Sequence, residues 1–325
     1  MEYVKLGNTG LDVSKICLGG MSFGEAGRWL HSWVLGENET EAIIKRALEL
    51  GINFFDTANV YSLGTSEEMM GNAFKKYANR DEIVIATKVH GEMHKGPNGK
   101  GLSRKAIFSE VNASMARLQV DYLDILYIHR WDYDTPIEET MRALNDLVRS
   151  GKVHYIGASS MYAWQFAKAQ EIARRNGWTE FSLMQNHYNL LYREEEREMI
   201  PLCQDQGVAL VPYSPLAAGR LTRDWHSDSR RSREDQTAKY KYDSTQENDI
   251  VIVDRVKEIA DHYNVTRSQV AVAWLWEKGV TSPVVGVTKV SYLDDFVGAL
   301  NLKLTQEDID YLEEVYVPHK IMGFE

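Results

Sequence analysis

The sequence predicts an α/β protein, a (β/α)8 TIM barrel built as one domain over residues 1–325. Three observations lead there. Eight short runs rich in Ile, Val and Leu recur along the 325 residues, and segments of helical period lie between them. Polar side chains of catalytic type follow several of the runs, always at the same end.

The strands are expected at 16–19, 52–56, 83–88, 124–129, 153–158, 182–186, 208–212 and 283–286. They are apolar on both faces, as strands are when helices cover one side and a barrel interior lies on the other. An open doubly wound sheet gives the same pattern but opens its first helix with GxGxxG; here Gly19-Gly20 is followed by Met21-Ser22-Phe23-Gly24. Helices are expected at 39–50, 66–78, 103–117, 137–149, 162–175 and 194–205. In the first, Ala42, Ile43, Ala47 and Leu50 recur near the helical period and Gly51 stops it; Leu144, Leu147 and Val148 before Gly151 read the same way.

Outside the repeats, a short β-hairpin is expected at the amino end and additional helices near the carboxyl end. Segment 305–316 is a helix with Thr305 as cap and Asp308 three residues on, a capping box with Asp in place of Glu or Gln. Pro318 ends it, and the tail 317–325, with Ile321, Met322 and Phe324, either folds over the rim or frays. Residues 213–248 carry Arg220, Arg223, Arg230, Arg231, Arg233 and Lys239 and read as a long polar loop, which in a compact domain has a task or is disordered.

Composition narrows the partners. The chain is 44% hydrophobic and 26% charged, which suits a folded soluble domain, and its net charge of -10 repels nucleic acid. No segment approaches 18 apolar residues and the amino terminus lacks a signal-peptide pattern, so no membrane partner and a cytoplasmic location are expected. Cys17 and Cys203 sit in apolar surroundings as core thiols, and the histidines form no ligand cluster, so no metal site is expected. Monomer and homo-oligomer both remain open.

Four strand-end residues carry the chemistry: Asp56 and Tyr61 after the second run, Lys88 after the third and His129 after the fourth. A tyrosine exchanges protons poorly at neutral pH unless its phenolate is favoured. Lys88 supplies that bias by lowering the pKa of Tyr61, Asp56 holds the lysine charged, and His129 polarises a substrate oxygen. Such a group protonates an oxygen as negative charge develops on it, as carbonyl reduction by hydride requires. Each has a plainer reading: Asp56 as a cap, Tyr61 as a half-buried ring, His129 as a satisfied core residue. Lys88 is harder to explain away, because its charge must enter the barrel mouth or be buried at high cost.

The four residues resemble the Asp, Tyr, Lys and His tetrad of the aldo-keto reductase superfamily. Gly51-Ile52-Asn53-Phe54-Phe55-Asp56-Thr57-Ala58, Thr87-Lys88 and Ile128-His129-Arg130 are similar to its signatures, and the likeness runs from Leu6-Gly7 to the carboxyl-terminal helix. Within it, the chain resembles the branch of bacterial short-loop reductases, some of them linked to 1-deoxyxylulose 5-phosphate formation, and of potassium-channel beta subunits. That finer likeness rests on residues 129–133, 158–161 and 192–198.

A nicotinamide ring must be held flat over the rim. Ser159, Ser160 and Gln185 end strands and offer polar contacts there, and Tyr213 offers a stacking face. The resemblance implies that these positions bind the carboxamide and stack on the ring, with Ser160 where asparagine is more familiar. It makes Ser214, Pro215, Leu216, Gly219 and Arg220 part of the cofactor strap, whose small residues admit a pyrophosphate. It assigns Gly286, Thr288, Lys289, Tyr292 and Asp295 to the 2'-phosphate and adenine side, with Tyr292 and Phe296 departing from the usual Gln and Asn. Thr288 and Lys289 therefore favour NADPH over NADH.

The substrate mouth is expected to draw on Trp29 and Trp33 of the connection 21–35 and on Arg130 and Trp131. Aromatic walls suit an aldehyde or a sugar face, and Arg130 with His94 suits an anion. The main expectation is NADPH-dependent reduction of a small carbonyl compound, sugar-like and phosphorylated ones included. Two alternatives stay open: a cofactor-dependent sugar phosphate conversion, and an NADPH-binding regulatory subunit with little turnover.

Overall fold

The structure, a computed structural model, describes residues 1–228 and 230–324. Ser229, in the expected loop 213–248, and Glu325, in the tail, lie outside the described residues, as does the side chain of Arg230. The strands are β1 (Tyr3–Lys5), β2 (Asp12–Ser14), β3 (Cys17–Gly19), β4 (Phe54–Asp56), β5 (Val84–Val89), β6 (Leu123–Ile128), β7 (Val153–Ser159), β8 (Leu183–Gln185), β9 (Ala209–Leu210) and β10 (Val284–Gly286). The first two form the antiparallel hairpin, and the other eight are parallel neighbours in the order β10-β3-β4-β5-β6-β7-β8-β9. Closure follows beyond β9, where Val284 N donates to Pro212 O at 2.9 Å and Tyr213 bridges to Val284. The eight expected strands are all present.

The α-helices are α1 (Glu37–Glu49), α2 (Thr65–Tyr77), α3 (Arg104–Leu118), α4 (Ile137–Arg149), α5 (Ala163–Asn176), α6 (Met199–Asp205), α7 (Arg230–Glu234), α8 (Gln236–Tyr242), α9 (Gln246–Tyr263), α10 (Arg267–Glu277), α11 (Ser291–Gly298) and α12 (Gln306–Glu313). Caps explain several starts. Thr266 and Gln269 form a capping box on α10, and Thr305 with Asp308 forms the expected one on α12. The segment read as a long loop is instead largely helical, with α7, α8 and the start of α9 inside it. Its polar surface hides that, because these helices are short and hold their place through contacts far along the chain.

Two cores follow from strand alternation. One lies between sheet and helices; the other fills the barrel with Cys17, Phe54, Val84, Ala86, Ile125, Tyr127, Leu183, Ala209, Val211 and Val284. Leu6 and Val13 of the hairpin join the inner core and plug its amino-terminal end. Tyr127 fits inside because residue 157 is glycine: a Cβ there would lie 2.7 Å from the tyrosine ring.

Candidate active site

Alternation extends the inner core upward to the rim. Two residues past Phe54 stands Asp56, two past Ala86 stands Lys88, and two past Tyr127 stands His129. By the same step Gly157 leads to Ser159, Leu183 to Gln185 and Val211 to Tyr213. One barrel mouth therefore collects side chains that are far apart in sequence. Tyr61 reaches it from a turn, where Ser62, Leu63 and Gly64 have φ of 47°, 50° and 94° and lead into α2. The first connection passes tightly behind that turn, for a Cβ on Gly24 would lie 2.4 Å from Ser62 Cβ.

Lys88 is fully buried, and its ammonium has three partners for its three hydrogens. It pairs with Asp56 Oδ1, donates to Thr57 O at 2.8 Å and lies 3.4 Å from Tyr61 Oη. The other Asp56 oxygen accepts from Gln185 Nε2 at 2.9 Å. Burial works against the charged lysine, but Asp56 and Tyr61 outweigh it and its pKa stands above the ordinary value.

For Tyr61 the balance differs from the sequence expectation. Burial raises its pKa more than Lys88 lowers it, so the net direction is upward. The phenol keeps its proton at neutral pH and is available as an acid. His129 sits edge-on to it with ring centroids 5.8 Å apart, and burial, Arg130 and Lys88 hold the imidazole neutral by driving its pKa well down.

On the neighbouring arc, Ser159 and Ser160 are buried with hydroxyl oxygens 3.4 Å apart, and Ser160 Oγ donates to Tyr213 Oη at 3.4 Å. His187 stacks parallel to the Tyr213 ring at 5.3 Å. The segment after Tyr213 carries positive φ at Ser214, Ala217, Ala218 and Gly219, of 60°, 48°, 55° and 92°. Successive turns of this kind turn backbone N–H groups outward, a setting for phosphate oxygens. Pro215 is buried and Leu216 half-buried beside them.

The arginines of this region are not equivalent. Arg220 pairs with Asp243 and lies over Trp225, Arg231 pairs with Asp235 and covers Trp33, and Arg233 pairs with Asp228. Among the described residues Arg223 has no carboxylate partner. It is half-buried, and burial together with Arg231 and Arg220 lowers its pKa. A desolvated cation beside two others calls for an anion, so these residues fit a dinucleotide phosphate.

At the end of β10, Gly286 and Lys289 are exposed and Thr288 is half-buried. Lys289 lies 5.7 Å from the ring of Tyr292, which is itself exposed, and Asp295 is half-buried on the same helix. Phe296 is buried in the core, so its ring is not offered to an adenine.

Comparison with known proteins agrees with this geometry. Residues 15–317 match the aldo/keto reductase family. The chain belongs to that family. It is 46% identical to the versiconal hemiacetal acetate reductase of Aspergillus parasiticus over 99% of this chain and 98% of that one. It is also 46% identical to a Schizosaccharomyces pombe protein named provisionally as an aryl-alcohol dehydrogenase, over 99% and 97% of the two chains. The aldo-keto reductase AMT2 of Alternaria alternata shares 44% over 97% and 91%. At the family level the chain is an oxidoreductase of the NADP-linked, carbonyl-reducing kind.

The residues expected at the substrate mouth take different places. Trp29 lies 5.5 Å from Tyr61 by ring centroids, and Trp131 lies 6.1 Å from Trp164. Trp33 is buried between His31 and Arg231, in the seam between the first connection and α7. Arg130 donates to its neighbour's carbonyl, His129 O, at 2.6 Å, and His94 is exposed. Two residues of the tail are held: Phe324 meets Tyr162 edge-on at 4.9 Å, and Met322 N donates to Tyr192 Oη at 3.1 Å.

The sequence does not show the Thr57 carbonyl on Lys88, the amide of Gln185 on Asp56, or Lys241, whose ammonium donates to Tyr213 Oη at 3.4 Å. The place of Gln185 at a strand end marks it in the sequence but gives no partner for it. Nothing local marks Lys241. No helix of the described residues is long and apolar enough to cross a membrane.

Proposed function

We propose that this reductase converts an aromatic or otherwise apolar aldehyde or ketone to the alcohol with NADPH, and that Tyr61 gives the proton. The observation that carries the reading is the buried Lys88 ammonium, shared by Asp56, the Thr57 carbonyl and Tyr61. NADPH, when bound, supplies the hydride to the carbonyl carbon.

The rest falls to this chain. Tyr61 is protonated at neutral pH and donates to the carbonyl oxygen as negative charge grows there. Lys88 stabilises the phenolate left behind, and Asp56 with Gln185 keeps that lysine fixed. His129, held neutral, donates a second hydrogen bond to the same oxygen. Ser159, Ser160 and Gln185 orient the carboxamide and Tyr213 carries the ring. Arg223 holds a phosphate together with the turn 217–219, and Thr288 and Lys289 take the 2'-phosphate, which sets NADPH above NADH.

Trp29 beside Tyr61, and Trp131 with Trp164, favour aromatic substrates over phosphorylated sugars. The names of the fungal relatives agree, and we read the chain as closer to those reductases than to the bacterial or channel-associated branch. We place the protein in the cytoplasm, where its two buried free thiols stay reduced. A screen of aromatic, aliphatic and phosphorylated carbonyl compounds with NADPH and NADH, followed by loss of cofactor absorbance, tests this. Turnover is expected with aromatic aldehydes and NADPH; turnover confined to phosphorylated sugars, or none at all, overturns it.

A further inference from the structure

Lys241 stands at the barrel mouth without a part in the reaction as described. It is presented there by a firmly anchored helix. Asp235 caps α8 by accepting from Ala238 N at 2.9 Å, and the last residue of α8, Tyr242, is fully buried. The Tyr242 hydroxyl meets His187 Nε2 at 2.7 Å, accepts from Asn189 Nδ2 at 3.1 Å and lies 3.3 Å from Ser214 Oγ. With its neighbour pinned at both the strand end and the turn, Lys241 has little freedom to leave. Its ammonium lies 4.6 Å from the Tyr213 ring centroid and 3.4 Å from the hydroxyl. Among the described residues no carboxylate pairs with it, so its charge is not cancelled locally.

We propose that Lys241 sets the preference of the site between the two redox forms of its cofactor, by holding a positive charge against the ring on which the nicotinamide rests. The inference builds on the reading of Tyr213 as that platform. NADP+ and NADPH carry the same phosphates, ribose and adenine, and differ at the nicotinamide, which is a cation in the first and neutral in the second. A fixed cation beside the ring repels only the oxidised form, whereas any attraction to the phosphates acts on both. Coulomb's law at a few ångströms and an effective dielectric near 20, reduced by solvent screening, makes the discrimination roughly tenfold. Lys241 thus favours entry of the reduced cofactor and departure of the oxidised one. Arg130 adds to the positive field at Tyr213 from the connection after β6.

The test is direct binding, read from quenching of tryptophan fluorescence by NADP+ and by NADPH at fixed pH and ionic strength. Lys241→Met is expected to tighten NADP+ relative to NADPH by about tenfold, and Lys241→Arg to keep the parent ratio. An unchanged ratio in Lys241→Met overturns the proposal. So does an equal weakening of both forms, which makes Lys241 a phosphate ligand. Tyr213→Leu separates the two levels: loss of affinity for both forms upholds the platform whatever Lys241 does. Unchanged affinity for both removes the platform, and the proposal with it.

Discussion

Gln185 Nε2 donates to Asp56 Oδ2 at 2.9 Å, joining β8 to β4 across the barrel mouth while the other oxygen of the carboxylate holds Lys88. Asp56 is 2% exposed, so water cannot replace the amide. Gln185→Leu leaves a buried carboxylate oxygen without a donor and is expected to cost about 1–3 kcal/mol of stability. It should slow turnover as well, through a less ordered lysine. Urea denaturation measures the first effect, and an unchanged midpoint would show that the amide is not needed.

Glu195 gives a pH dependence of stability. It is 4% exposed, its Oε1 has no hydrogen-bond partner among the described residues, and burial pushes its pKa up to about 8. The folded protein therefore keeps this proton up to about pH 8, while the unfolded chain releases it near the ordinary carboxylate value of 4.5. Folding takes up a proton in that interval, so stability falls as pH rises from 4.5 to about 8 and is level on either side. His129 and His187, both held neutral by burial, add the opposite slope below about pH 6.5. Comparison with Glu195→Gln isolates the glutamate. At pH 9 the variant is expected to be more stable, on the order of 3–5 kcal/mol. Denaturation curves that run parallel with pH for the two proteins would count against a protonated Glu195.

Arg223 separates binding from folding. Removing a half-buried cation that has no carboxylate partner among the described residues relieves the empty protein, and on the proposed reading it also takes a charged hydrogen bond from a bound phosphate. Arg223→Leu is expected to weaken NADPH by roughly 10–100-fold without lowering the melting temperature of the cofactor-free protein. Fluorescence titration and thermal denaturation read the two halves. A variant that melts lower and binds NADPH as before would make Arg223 a structural residue.

Much of this was legible in the sequence, for a physical reason. The barrel strands are short, apolar on both faces and evenly spaced, and period-two alternation carries the inner core straight to Asp56, Lys88 and His129. Other features were not. The six consecutive buried residues Val270–Leu275 within α10 give no helical period, so the sequence does not mark that helix. The helices within 213–248 are hidden because what orders them, such as Ser32 Oγ on Glu234 at 2.7 Å and Trp33 under Arg231, joins residues about two hundred positions apart. The sign of the Tyr61 shift was out of reach too, since the sequence names the lysine beside it but not the depth of burial around both.

The role of Tyr61 as proton donor is tested most directly by carbonyl reduction with Tyr61→Phe on the best substrate of the screen, with NADPH affinity measured alongside. The ring contacts with Trp29 and His129 survive that change, so only the hydroxyl is lost. A proton donor at this position means a fall in kcat of roughly 10²–10⁴-fold with NADPH binding nearly unchanged. Turnover equal to that of the parent protein would contradict it.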